Sequence, residues 1–313
     1  METPVVKIDN LVKRYNDKLA VDHFSLSIRE GEILGLLGPN GSGKTTTINC
    51  LLSILKYDKG TIEIFGQKMA PDRTDLKQEI GVVMQNVAVV DALTVYENVD
   101  FFCGLYIRDK ARRKDLVRQA IEMTGLTEYV KYRPSKLSGG LLRRLNIACG
   151  IAHKPKLIIF DEPTVAVDPQ SRNAILDGIR KLNEEGATII YTSHYMEEVE
   201  DLCSRIVIMD KGRNVASGTA AELKASLRNR ETITVEMRDS TEQLIDGIRQ
   251  INHVYDVKKS GEKLIIRCDG GSRNLIHILN YLMENKVDFG RVNSTLPTLN
   301  DVFLEITGKE LKD

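Results

Sequence analysis

The chain has 313 residues, 42% of them hydrophobic and 28% charged, and its 44 Lys plus Arg balance 44 Asp plus Glu to a formal net charge of +0. That length holds one large domain or two modest ones, each with its own core. An even balance argues against a nucleic-acid binder, which concentrates a basic excess on one face. Nothing approaches the roughly 18 unbroken apolar residues of a spanning helix.

The opening METPVVKIDN has neither the basic nor the apolar region of a secretory leader. The cysteines (Cys50, Cys103, Cys149, Cys203, Cys268) lie far apart with no C-x-x-C pair. They read as reduced, mostly buried thiols of a soluble intracellular protein.

Up to about residue 225, short apolar runs alternate with amphipathic stretches, as in an α/β fold. The runs EILGLLG (Glu32–Gly38), KLIIFDE (Lys156–Glu162) and ATIIYTS (Ala187–Ser193) are nearly continuous. Strands covered on both faces of a parallel sheet look like this. SRNAILDGIRKLNEEG, 171–186, carries helical spacing and a glycine stop. Between about 86 and 155 the pattern predicts a helical subdomain: Thr94 and Glu97 stand at capping-box spacing, and a second helix follows near RRKDLVRQAIEMTGL. The basic cluster RDKARRK within it predicts a solvated helix surface.

After about residue 229 a smaller α+β domain is expected to run to residue 313. ETITVEM alternates like a strand, STEQLIDGIRQI is helical, and HVYDVKK, SGEK and KLIIRCD predict a hairpin. NLIHILNYLMENK is helical, with a strand near FGRVNS. This β-α-β-β-α-β order fits a ferredoxin-like unit. TLNDVFLEITG predicts a closing helix capped by Thr298 and stopped by Gly308.

Three stretches carry chemistry. Gly38-Pro39-Asn40-Gly41-Ser42-Gly43-Lys44-Thr45 fits G-x-x-x-x-G-K-[ST] between a strand and a helix. Its backbone N–H groups cradle phosphate oxygens, Lys44 reaches the β- and γ-phosphates, and Thr45 offers a hydroxyl to Mg²⁺. Asp161, ending a buried strand, supplies a carboxylate for the metal. Glu162 is expected to point the other way by strand alternation and to polarise water. Ser138-Gly139-Gly140 open an amphipathic helix, a second helix N-terminus suited either to an anion or to plain capping by Ser138.

In this company the chain resembles the ATP-binding cassette (ABC) ATPases over roughly residues 5 to 220. The P-loop is followed by Gln85 in VVMQN, LSGG at Leu137–Gly140, LIIFDEPT, VAVD ending at Asp168, and His194 in YTSHYMEE. Tyr15 matches the aromatic that stacks on adenine. The resemblance implies a P-loop NTPase cassette with ATP and Mg²⁺ as cofactors. Nucleotide is held by Tyr15, by the P-loop with Thr46, and by Ser138, Gly139 and Gly140. Gln85 senses Mg²⁺ and water, Glu162 is the general base, His194 contacts the γ-phosphate, and Asp168 helps close a two-subunit sandwich. Two positions depart from the family: Leu141 where glutamine is usual, and Ala166 where glycine is usual. Arg143 and Arg144 are expected to meet neighbouring acids.

Within the family the wording of residues 93–106 and 202–219, and of the tail TLPTLNDVFLEITGKEL, resembles the ATP-binding subunits of bacterial drug, antibiotic and lipid exporters. The implied partners are a separate transmembrane permease and a second ATPase subunit, as a homodimer rather than a heterodimer. No nucleic acid is expected, and the site of work is the inner face of the membrane. Phe101, Phe102 and Tyr106 are either permease anchors or core residues. The alternatives are a soluble ABC ATPase such as a cofactor-assembly scaffold, or a nucleotide sensor.

Overall fold

The computed structural model describes residues 3–227, 230–237, 241–270 and 273–308. Two compact units divide the chain, a first that runs to Ala220 and a second over Ala221–Gly308.

The first unit holds two sheets. One is antiparallel, with neighbours β2 (Lys18–Ile28), β1 (Val6–Tyr15), β4 (Lys59–Ile64) and β5 (Gln67–Lys68) in that order. The other is mostly parallel and runs β10 (Arg213–Gly218), β9 (Arg205–Asp210), β3 (Ile33–Leu37), β8 (Thr188–Thr192), β7 (Leu157–Asp161), β6 (Ile80–Val83). Only β10 pairs antiparallel among these neighbours. β3, β7 and β8 are buried at every position, as their unbroken apolar runs predict for strands covered on both faces.

One core joins Val6, Ile8 and Phe24 of the antiparallel sheet to Ile48 of α1 (Lys44–Leu51) and to Leu34, Leu36, Ile159 and Val207 of the parallel sheet. On β3, a Cβ added at Gly35 would stand 2.8 Å from Val199 of α7 (Met196–Leu202), so the missing side chain is what lets that helix lie against the strand. A short α2 (Thr74–Lys77) precedes β6.

The helical stretch between β6 and β7 contains α3 (Val95–Gly104), α4 (Lys110–Met123) and α5 (Gly139–Ile151). The Thr94–Glu97 capping box forms, with Thr94 N–H donating to Glu97 Oε2 at 2.8 Å. Asp109 caps α4 by accepting from Arg112 N–H at 2.7 Å. α6 (Pro169–Glu184) starts two residues before the predicted stretch, capped by Asp168 with Pro169 in its first turn.

α8 (Ala220–Ala225) spans the division between the units. In the second unit the sheet order is β12 (Val254–Ser260), β13 (Lys263–Asp269), β11 (Arg230–Glu236), β14 (Val292–Thr295), every pairing antiparallel. α9 (Glu242–Arg249) and α10 (Asn274–Glu284) bury Leu244, Ile248, Ile278 and Leu282 against Ile233, Val235, Leu264 and Ile266. The β-α-β-β-α-β order is the ferredoxin-like one. α11 (Leu299–Thr307) follows, with a Thr298–Asp301 capping box and Gly308 at φ 65°.

All five cysteines are buried and unpaired. Burial pushes the Cys50 and Cys103 thiols up to about 11, and those of Cys149 and Cys268 to about 12. Among the described residues, no helix is long and apolar enough to cross a membrane.

Candidate functional site

In a parallel sheet all strands finish at one edge, and that edge is where ligands of open α/β folds sit. Here β3 leads into Gly38, β6 into Met84 and Gln85, β7 ends at Asp161, and β8 leads into Ser193 and His194. Topology alone therefore gathers groups scattered over more than 150 positions of sequence.

The loop after β3 is shaped by close approaches. A Cβ at Gly43, which has φ 108°, would stand 2.4 Å from Ala20 O, and one at Gly38 would stand 2.3 Å from Met209 O. These two glycines are needed for packing against protein backbone as well as for any ligand. Gly41 faces open space on its Cβ side. α1 has no side-chain cap and no acidic residue in its first turn, so its N–H groups and dipole are left for an anion. Asn40, Gly41 and Thr45 are exposed, Thr46 is half-buried and Pro39 is buried. The Lys44 ammonium folds back onto Gly38 O at 2.6 Å, and burial lowers its pKa while Glu162 and Asp161 oppose that shift.

Asp161 is buried, and its Oδ1 accepts from Thr192 Oγ1 at 2.7 Å; desolvation raises its pKa. Glu162 lies beyond the end of β7, with φ 51°. Strand alternation therefore does not set its direction, contrary to the sequence expectation. A left-handed backbone does, held by the Glu162 N–H donating to Thr192 Oγ1 at 3.0 Å. His194 Nε2 stands 2.5 Å from Glu162 Oε1, and this contact lowers the Glu162 pKa.

Gln85 is exposed. Its carbonyl, however, accepts from the buried Arg143 guanidinium at 2.7 Å, which also reaches Met84 O at 3.1 Å and Glu162 O at 3.5 Å. Arg144 donates to Ser171 Oγ at 3.1 Å. The hydrogen bonds of this pair thus go to carbonyls and a hydroxyl, and Arg143 meets the acid expected from sequence through charge alone, the Glu162 carboxylate favouring its charged form against burial.

A second cluster forms at the start of α5. Ser138 is its N-cap, accepting from Leu141 N–H at 3.3 Å, and Ser138 and Gly139 are exposed. Gly140 is buried against the start of α6, where a Cβ would meet Ser171 Oγ at 2.4 Å and Asp168 Oδ2 at 3.0 Å. Asp168 Oδ1 accepts from Ser171 N–H at 2.9 Å, which with the other bonds of that turn lowers its pKa. Tyr15, at the end of β1, is 46% exposed, with Lys13 Nζ 5.3 Å from its ring centre.

The donor set suits a nucleotide with its magnesium ion. Ser42 Oγ, inside the loop, and His194 Nδ1 are each buried without a hydrogen-bond partner. A polar atom of this kind is costly unless something meets it. Magnesium binds through one or two carboxylates plus phosphate oxygens and water, which Asp161 and the Thr45 hydroxyl can complete. Thr192 carries no signal of its own in the sequence, because a hydroxyl one strand away gives no local pattern.

The fold and this edge define a P-loop ATPase. The ABC transporter family model matches residues 21–165, and that of the ATP-binding protein DrrA1-3-like C-terminal domain matches 218–307. The chain is 38% identical to the linearmycin resistance ATP-binding protein LnrL of Bacillus subtilis (strain 168), over 99% of this chain and 100% of that one. It is 33% identical to the Nod factor export ATP-binding protein I of Paraburkholderia xenovorans (strain LB400), over the whole of both. A dimeric ATP-binding cassette, MJ0796, in a post-hydrolysis state bound to ADP and Pi superposes with a TM-score of 0.63 at 28% identity, covering 68% of this chain and 98% of that one. The chain belongs to the ABC transporter ATP-binding subunits, on the branch of the resistance and export proteins, and it is an ATPase. This favours the transporter reading over the scaffold and sensor alternatives.

Proposed function

We propose that the chain powers export through a separate membrane permease, working as one half of an ATP-closed pair of ATPase subunits, a homodimer, at the inner face of the membrane. The similar Nod factor export protein supports that direction of transport, and the similar linearmycin resistance protein accords with it. The exposed aromatic Phe101, with Tyr106, offers the permease a contact on the helical stretch.

In this reading the P-loop from Gly38 to Thr46 wraps the phosphates and Tyr15 stacks on the base. Lys44 swings from Gly38 O to the β- and γ-oxygens. Asp161, Thr45 and Gln85 hold Mg²⁺, which when bound neutralises charge building on the phosphates. Glu162 takes a proton from the attacking water. The γ-phosphate offers His194 a second acceptor, drawing it away from Glu162 and leaving that carboxylate free to act as base. Ser138, Gly139 and Gly140 bind the γ-phosphate held by the other subunit, with Asp168 beside them.

The observation that carries this reading is the 2.5 Å approach of His194 to Glu162 next to Lys44 and Asp161. Replacing Glu162 with Gln tests it. ATP binding and ATP-dependent pairing are expected to persist, while turnover falls by about 10²–10⁴-fold, the usual worth of a general base. Normal turnover would overturn the assignment.

A further inference from the structure

Glu198 lies on α7, four residues past His194, and is 5% exposed. Its Oε2 accepts from three hydroxyls: Ser193 Oγ at 2.7 Å, Tyr191 Oη at 2.7 Å and Thr164 Oγ1 at 2.9 Å. Those hydroxyls come from separate places. Thr164 stands two residues past Glu162, Tyr191 lies within β8, and Ser193 directly precedes His194. Ser193 Oγ also accepts from Tyr195 N–H at 3.0 Å, so one hydroxyl fixes the backbone on both sides of His194. Across the carboxylate, Glu198 Oε1 faces Arg172 Nε of α6 at 3.4 Å, and the Arg172 guanidinium lies over the Tyr195 ring at 4.1 Å.

An ionised carboxylate buried this far is unfavourable unless hydrogen bonds and a counter-charge compensate it, and apolar packing would hold the helix at less cost. Oε2 takes the three hydroxyls while Oε1 faces the guanidinium, so both oxygens are turned to donors, which an amide with one acceptor oxygen and one NH₂ donor cannot match. The donors belong to the segment after Glu162 and the segment before His194. We propose that Glu198 is a positioning residue for ATP hydrolysis: its carboxylate ties the Glu162 segment to the His194 segment and so sets the approach of base and histidine. Arg172 extends the tie to α6, whose N-cap is Asp168. Glu198 acts through Thr164 and Ser193. The inference rests on reading Glu162 and His194 as the hydrolytic pair.

The test measures kcat, KM for ATP, the Kd of a fluorescent ATP analogue and Tm on the full chain. Glu198→Gln keeps the side chain's shape but replaces one acceptor oxygen with a donor. Its kcat is expected to fall at least ~10-fold with KM and Kd within about threefold, the signature of lost geometry at the reacting centre rather than lost binding. Thr164→Val and Ser193→Ala each remove one strand of the tie, and should lower kcat severalfold. Either one combined with Glu198→Gln should add little further loss, because residues acting as one unit are not additive. If Glu198→Gln does not fold, the two hydroxyl variants carry the test alone.

A kcat within about twofold of the parent in Glu198→Gln, or in both hydroxyl variants, would overturn the proposal, as would a change confined to Tm. Glu162→Gln is run alongside. Should that variant hydrolyse normally, the pair itself is misassigned. Should it be inactive while Glu198→Gln is normal, the tie alone is wrong.

Discussion

His194 Nε2 and Glu162 Oε1 approach to 2.5 Å although their positions are separated by a helix and a strand, and the contact holds the Glu162 carboxyl below its ordinary range. Lys44 and Arg143 act in the same direction, and burial opposes them. A carboxyl depressed on folding adds stability that is present above its unfolded value, about 4.5, and is lost as pH falls through the lower folded value. Urea unfolding of the parent and of His194→Asn between pH 6 and pH 3.5 is expected to show a stability gap that narrows below about 4.5. A gap independent of pH would show that the contact does not set the Glu162 titration.

Lys44 separates affinity from stability. Its ammonium is buried, and desolvation is the largest influence on it. Lys44→Met keeps the apolar stem and removes the charge, so unfolding free energy should stay within about 1 kcal/mol of the parent. Nucleotide affinity should nonetheless drop at least ~10-fold, since a charge-assisted contact to phosphate is lost. Equilibrium titration with an ATP analogue and urea melts check the two halves independently.

Gly139 gives opposite signs for folding and work. It is exposed at the first position of α5, and a Cβ added there would meet nothing within 4 Å. Gly139→Asp places a negative charge at a helix N-terminus and removes glycine from a helix, together worth about 1 kcal/mol in favour of folding. The same charge would face the partner-held γ-phosphate. Thermal melts should therefore hold or rise while ATP-dependent dimerisation, followed by light scattering in the Glu162→Gln background, disappears. Dimers forming as usual would mean this helix end does not meet nucleotide.

Ala166 adopts φ 58°, a left-handed conformation that an L side chain enters at a cost of about 1–2 kcal/mol. Its side chain is exposed, so packing does not compensate. Ala166→Gly relieves that strain and gives back part of the gain through the unfolded chain. The expected result is stability unchanged or raised by up to about 1 kcal/mol. Ala166→Val should destabilise by more than about 1 kcal/mol, because β-branching is least tolerated there. Urea denaturation of the pair decides it.

The parallel strands were legible because burial on both faces leaves no polar alternation to confuse, and the ends of β3, β6, β7 and β8 then placed the P-loop, Gln85, Asp161 and His194 on one edge. The antiparallel sheet was not singled out. Irregular register between β1 and β2, with shifts after Ile8 and Leu11, blurs the two-residue alternation such strands otherwise show. The direction of Glu162 could not be read either, since it depends on a tie to Thr192, 30 positions away. The sequence pairs Arg143 with neighbouring acids but does not show that it is buried, which the carbonyls of Met84, Gln85 and Glu162 and the Glu162 charge make sustainable.

The five inward-facing cysteines give the chain a set of internal clocks. With thiolates scarce at neutral pH, an alkylating reagent reacts only during excursions that bring a sulfur to water. Cys268 times openings of the second unit and Cys50, Cys103, Cys149 and Cys203 those of the first. Labelling followed by peptide mass analysis would therefore rank the two units by how often each breathes, with no added probe.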